Sequence, residues 1–100
     1  MSILMEVLKE ELDRLERQQL AYEADLREIP KGYISKKNVR GKLSYYLQHR
    51  EGKKIISKYI SAKDLPVVEE QVRRRRQIEA SLRRVKEDKK ALRKVLKNNE

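Results

Sequence analysis

The sequence predicts an α+β protein in which two long helices, paired as an antiparallel coiled-coil hairpin, flank a three-stranded antiparallel β-meander. Apolar residues recur with a helical period at both ends of the 100-residue chain. The middle contains short β-branched and aromatic runs separated by glycine-containing pairs. This length indicates one small domain, with a helix at 1–30, a meander at 31–60, a helix at 61–97 and a frayed tail at 98–100.

The first helix is predicted from a heptad stripe over four repeats. Ser2 is its expected N-cap, and Pro30 and Gly32 end it. Gln19 is the one polar residue in the stripe, so replacing it with leucine is expected to raise the melting temperature. The stripe forms the expected helix seam and consists of Met5, Leu8, Leu12, Leu15, Gln19, Tyr22, Leu26 and Ile29.

The meander is predicted from three runs rich in Tyr, Ile, Val and Leu. Arg40–Gly41 and Glu51–Gly52 separate the runs, and glycine accepts the positive φ of tight hairpin turns. Tyr45 and Tyr59 are expected to fill the core face. The predicted strands are Tyr33–Val39, Lys42–His49 and Lys54–Ile60.

The second helix begins after Ser61–Asp64, which has the spacing of a capping box, with Pro66 in the first turn. Its stripe is weaker, because Arg75 and Lys89 occupy seam positions. The apolar stripe of the first helix is longer and has fewer polar interruptions than that of the second, so the second helix cannot bury all of it. We therefore predict a homodimer through the helices. The second stripe contains Val68, Val72, Ile78, Leu82, Val85, Leu92 and Leu96.

Charge is distributed unevenly along the chain. The formal net charge is +10, and residues 31–63 hold ten basic side chains and one acidic side chain, a local balance of +9. Four of the five tyrosines lie in this segment, and cations beside planar rings suit a polyanion with stackable bases. Nucleic-acid or partner contacts are therefore predicted at Lys36, Lys37, Arg40, Lys42, Arg50, Lys53, Lys54, Lys58, Tyr33 and Tyr46.

The arginine run on the second helix is a second basic patch, formed by Arg73, Arg74 and Arg76. Consecutive helical residues point about 100° apart, so the run has no single face. Its arginines either pair with acids such as Glu16 or Asp13, contact phosphates or anchor a protein partner.

Composition argues against several function classes. The chain has no cysteine, one histidine (His49) and no glycine-rich phosphate loop, so we expect no catalytic residue, no metal site and no cofactor. The N-terminus lacks a cationic signal region, and no apolar run reaches the roughly 20 residues of a membrane span. The expected location is the cytoplasm, without a membrane partner.

Five short segments carry a distinctive pattern of residues. They are Lys31–Lys37, Tyr45–Lys53, Ser57–Ile60, Asp64–Pro66 and Glu69–Gln71. In these segments the chain resembles a family of small uncharacterised bacterial and mobile-element proteins. The resemblance covers roughly residues 26–76 and implies the helix–meander–helix order and a phage or plasmid setting. The meander also resembles the three-stranded arm-binding module of tyrosine integrases, which reads DNA with its sheet.

Three functions remain open from the sequence. The leading one is non-enzymatic binding of DNA or RNA through the basic meander. The second is a mobile-element inhibitor that binds a host nucleic-acid enzyme, for example an anti-CRISPR protein acting on a CRISPR nuclease or its guide RNA. The third is a structural coiled-coil dimeriser.

Overall fold

The computed structural model describes residues 2–98, and its five elements confirm the predicted α+β fold class. The last predicted tail residues, 99–100, lie outside the described residues, whereas Asn98 ends the second helix. Within residues 2–98, no helix is both long and apolar enough to span a membrane. The elements are α1 (Ile3–Glu28), β1 (Tyr33–Val39), β2 (Lys42–Glu51), β3 (Lys54–Ile60) and α2 (Leu65–Asn98).

The chain divides into two compact units. The helical unit comprises residues 2–27 and 78–98, and the sheet unit comprises residues 28–77. The boundaries fall within helical segments of the chain, so each unit contains part of α2.

In the helical unit, α1 and α2 run antiparallel. Arg93 Nη2 donates to Glu16 Oε1 at 3.0 Å, and Lys89 Nζ donates to Gln19 Oε1 at 2.7 Å. A later residue of α2 thus contacts an earlier residue of α1, as an antiparallel pair requires. Leu15 is buried, and the other seam residues of this unit, Met5, Leu8, Leu12, Gln19, Tyr22 and Leu26, are half-buried. Coiled-coil packing and the homodimer stay predictions.

Gln19 and Lys89, the polar interruptions of the two stripes within the helical unit, contact each other. Lys89 is only 9% exposed, so its ammonium group needs an acceptor, and the Gln19 carbonyl supplies one. This contact reverses the expectation that leucine at position 19 would stabilise the protein. Leucine would remove the acceptor and leave the ammonium group buried without that bond.

The sheet has the order β1-β2-β3, with both neighbouring pairs antiparallel. Arg40 (φ 55°) and Gly41 (φ 78°) both have positive φ, as a two-residue type I′ turn requires, and they join β1 to β2 as predicted. The sequence also anticipated the cap of α1, because the Met5 N–H donates to Ser2 Oγ at 3.2 Å.

The second turn lies one residue later than predicted. Glu51 pairs with Lys54, so the turn residues are Gly52 and Lys53, and β2 extends through Glu51 instead of ending at His49. This pairing makes Gly52 the first central residue, and its φ of 60° suits a type II′ turn, which favours glycine at that position. The shift places Tyr59 opposite Tyr46, whereas a turn at Glu51–Gly52 would place it opposite Ser44.

The sheet unit has a small core beside the start of α2. Ile60 and Val72 are 5% and 8% exposed. Ser61 Oγ accepts the Asp64 N–H at 3.2 Å, which matches one half of the predicted capping box. Arg75 Nη1 donates to the Ile29 carbonyl at 2.6 Å and ties the chain before β1 to α2.

Candidate functional site

The two faces of the sheet differ in what they contact. Directly paired residues of antiparallel strands project to the same side, so the register assigns every strand residue to a face. The tyrosine face is named for its three tyrosines. Its residues are Tyr33, Ser35, Lys37, Val39, Lys42, Ser44, Tyr46, Gln48, Arg50, Ile55, Ser57 and Tyr59.

The opposite, helix-side face borders the start of α2. Leu47, Ile56 and Ile60 line a cavity of about 550 Å³ together with Val67 and Val68 of α2. Lys36, Tyr45, Lys54 and Lys58 belong to this face. Burial of Ile60 and the apolar cavity lining give the face a structural role in the sheet unit.

Three tyrosine rings cross the tyrosine face, with one from each strand. Tyr46 and Tyr59 are direct cross-strand partners, and their rings meet edge-to-face with centroids 5.8 Å apart. Tyr33 lies opposite Gln48, which makes it a diagonal neighbour of Tyr46. Tyr33 and Tyr59 are 47% and 62% exposed, so both present ring surface to solvent.

The tyrosine face is cationic and contains no carboxylate. Its charged residues are Lys37, Lys42 and Arg50, and within residues 2–98 no carboxylate forms an ion pair with any of them. Lys37 Nζ lies 5.1 Å from the centroid of the Tyr46 ring, within cation–π range. The face therefore combines exposed rings with cations that no acid neutralises.

Small polar groups complete the tyrosine face. Gln48 Nε2 donates to Ser57 Oγ at 2.7 Å across the central and edge strands. Ser35 and Ser44 add hydroxyl groups on β1 and β2. The surface can thus donate and accept hydrogen bonds between its rings and its cations.

The structure separates the residues that the sequence grouped as one binding site. Lys36 and Lys37 are consecutive in β1, so they project to opposite faces. Each lies near a tyrosine of its own face, with Lys36 Nζ 5.9 Å from the Tyr45 centroid. The tyrosine face holds Tyr33, Lys37, Lys42, Tyr46 and Arg50, the helix-side face holds Lys36, Lys54 and Lys58, and the turns hold Arg40 and Lys53.

Tyr59 was assigned to the core by sequence, and this was wrong. It is exposed, and Ile60 is the buried residue at this end of β3. Tyr45, by contrast, is half-buried on the helix-side face opposite Ile60. The alternation of β3 already placed Tyr59 and Ile60 on opposite faces, but the sequence does not show which of these faces is buried.

The arginine run is divided among different contacts. Arg73 Nε donates to Glu70 Oε2 at 3.1 Å on its own helix, and this hydrogen bond raises the pKa of Arg73. Arg74 and Arg76 are exposed, and Arg75 bonds the Ile29 carbonyl. Glu16 is bonded by Arg93, so the predicted pairing with the arginine run is not the contact observed.

His49 lies on the helix-side face, and its Nε2 is 3.2 Å from Glu51 Oε1. Within residues 2–98, no three His, Cys, Asp or Glu side chains are grouped so that they could hold a metal ion.

The fold and this surface define a small α+β protein with a basic sheet face that presents tyrosines. The chain belongs to a family described as a domain of unknown function, DUF6788, whose pattern matches residues 5–70. The match includes most of α1, so it begins nearer the N-terminus than the resemblance recognised at residues 26–76. Neither the curated proteins nor the solved structures provide a match.

Proposed function

We propose that the protein is a non-enzymatic binder of single-stranded nucleic acid, which it holds on the tyrosine face. The observation that carries the proposal is the joint presence of exposed Tyr33 and Tyr59 and of Lys37, Lys42 and Arg50 on one carboxylate-free surface. In this proposal the cations contact phosphates and the two exposed rings stack on bases.

The surface suits a single strand better than a duplex. Bases in a duplex are stacked on one another, so a ring on a sheet reaches their faces only when they are unpaired. The tyrosines are spread over all three strands, with strands about 4.8 Å apart. A strand of nucleic acid crossing β1, β2 and β3 would meet the exposed rings of Tyr33 and Tyr59 in turn.

An inhibitor that binds a host nucleic-acid enzyme is the main rival. A protein-binding surface usually has an apolar, well-packed centre and few lysines. The centre of the tyrosine face has instead a lysine over Tyr46 and a Gln48–Ser57 hydrogen bond. These features support the nucleic-acid proposal over the inhibitor.

Oligonucleotide titration tests the proposal directly. The chain has five tyrosines and no tryptophan, so stacking on the tyrosine face should quench tyrosine emission. We expect short deoxythymidine or uridine oligomers to bind at 50 mM salt with quenching, and a duplex of equal length to bind more weakly without quenching. Absence of binding, or tight duplex binding without quenching, would overturn the proposal; the two oligomers separate DNA from RNA.

A further inference from the structure

We propose that two copies of the chain pair through their β3 edges, so that the two tyrosine faces join into one six-stranded surface. β3 is an edge strand, and six of its seven residues are exposed. Ile55, Ile56 and Tyr59 are 57%, 38% and 62% exposed. Exposed apolar residues on both sides of an unpaired edge are a template for strand addition.

The backbone of β3 is arranged for such pairing. Residues that flank a two-residue hairpin turn form a hydrogen-bonded pair, and such pairs alternate along the ladder. Because Lys54 flanks the second turn, the alternation directs the N–H and C=O groups of Lys54, Ile56, Lys58 and Ile60 toward β2. The groups of Ile55, Ser57 and Tyr59 point away from the sheet and remain available to another strand.

The register that pairs all seven residues of two antiparallel β3 strands is self-complementary. It is centred on Ser57, which faces the partner's Ser57. Ile55 then faces the partner's Tyr59, an aromatic–β-branched pair of the kind that stabilises sheets. Ile56 faces the partner's Lys58, and no lysine lies directly opposite another lysine. The match specifies a second copy as the occupant.

β1, the other edge strand of the sheet, is less suited to pairing with a second copy of itself. The equivalent full-length register of two β1 strands is centred on Lys36 and places it against the partner's Lys36. Like charges directly opposite each other destabilise a strand pair, and lysine is a common protection of sheet edges. Charge repulsion between lysines therefore disfavours pairing of two β1 strands, whereas the β3 register places no lysine opposite another.

Pairing through β3 would enlarge the surface proposed for nucleic acid. A two-fold axis perpendicular to the sheet keeps both tyrosine faces on the same side, because directly paired residues share a side. Six strands at about 4.8 Å spacing give a surface roughly 24 Å wide. This consequence rests on the proposed function, whereas the pairing itself does not.

Sedimentation without nucleic acid tests the pairing, with proline placed on each edge in turn. Ser57→Pro removes an outward N–H at the centre of the β3 register, where proline costs no backbone hydrogen bond to β2. It also removes the hydroxyl that accepts from Gln48, so Ser57→Ala, which loses only that hydroxyl, is measured beside it. Lys36→Pro is the matched control, because its N–H is outward at the centre of β1. We expect wild type and Lys36→Pro to dimerise from the 12.0 kDa chain, and Ser57→Pro to dimerise at least tenfold more weakly.

Salt separates this pairing from the proposed function. Each β3 carries two lysines, so we expect dimerisation to strengthen from 0.1 to 0.5 M NaCl, whereas nucleic-acid binding weakens. Lys37→Gln should weaken oligonucleotide binding and leave the dimer intact. A wild-type protein that binds the oligonucleotide but does not dimerise would therefore overturn the pairing alone. A wild-type protein that dimerises but does not bind the oligonucleotide would overturn the proposed function alone.

Cysteine cross-linking keeps the pairing falsifiable if Ser57→Pro does not fold. The native chain has no cysteine, and facing residues of a hydrogen-bonded pair have Cα atoms about 5.5 Å apart, within disulfide range. We expect Ser57→Cys to form a disulfide-linked dimer several-fold faster than Lys36→Cys. Equal cross-linking rates for the two cysteine variants would overturn the proposal, as would a wild type that stays monomeric at 500 µM in 0.5 M NaCl. The proposal would also fail if Leu12→Asp, in the helix seam, abolished the dimer and Ser57→Pro did not.

Discussion

Three cations of the helical unit have acceptors from the protein itself, whereas the three cations of the tyrosine face have no carboxylate partner within residues 2–98. Arg93 is bonded to Glu16, Lys89 to Gln19 and Arg14 to Glu11, and the last bond lowers the pKa of the Glu11 carboxyl. Lys37, Lys42 and Arg50 share a surface that has no acid. Equal numbers of basic residues can thus serve internal structure in one unit and remain available to a polyanion in the other.

The largest effect expected in this comparison comes from removing an acceptor in the helical unit. Gln19→Leu should lower the free energy of unfolding by about 2 kcal/mol, because it leaves the Lys89 ammonium group buried without its hydrogen bond. Urea unfolding measures the change. Gln19→Leu/Lys89→Met, which removes both polar groups, should recover most of the loss. A stabilising Gln19→Leu single variant would contradict the observed pairing.

Removing an exposed ring should affect binding and leave folding nearly unchanged. We expect Tyr59→Ala to weaken oligonucleotide binding by about 1.5 kcal/mol, within the usual range for stacking of one base on an aromatic ring. Tyr59→Phe keeps the ring and should bind nearly as wild type does. Fluorescence anisotropy measures both affinities, and equal losses for alanine and phenylalanine would show that the hydroxyl, not stacking, matters.

The smallest effect is expected from an exposed ion pair. Glu16 and Arg93 side chains are 42% and 56% exposed, so solvent and salt screen their attraction. Arg93→Gln should therefore cost about 0.5 kcal/mol of stability or less, and the cost should fall at 0.5 M salt. Oligonucleotide affinity should not change, since this arginine already has an acceptor. Thermal unfolding and anisotropy at two salt concentrations check both statements.

The sequence predicted the elements and their order because each has a strong local signal. Heptad spacing marks α1, and Arg40–Gly41 sets the first hairpin and its register. The second turn was predicted one residue too early because both Glu51–Gly52 and Gly52–Lys53 contain the same glycine, and only the pairing of Glu51 with Lys54 shows which pair forms the turn. The missed Gln19–Lys89 bond joins residues 70 positions apart, which no local pattern in one sequence connects.

The candidate site was predicted in composition but not in arrangement. Counting charge along residues 31–63 cannot distinguish Lys36 from Lys37, although strand alternation sends them to opposite faces. Tyr59 was assigned to the core face because β3 carries apolar residues on both faces, so alternation alone does not identify the buried one. Burial of Ile60 by the start of α2 decides which face of β3 forms the core.

The salt dependence of binding by Lys37→Gln and Lys36→Gln tests the central claim most directly. The two variants lose the same charge from adjacent positions of β1, but only Lys37 belongs to the tyrosine face. Between 50 and 300 mM salt, Lys37→Gln should lower the log–log slope for a single-stranded oligomer by about 0.7, the value for one lost phosphate contact. Lys36→Gln should keep the wild-type slope. Equal slopes for the two variants, or a loss confined to Lys36→Gln, would contradict binding through the tyrosine face.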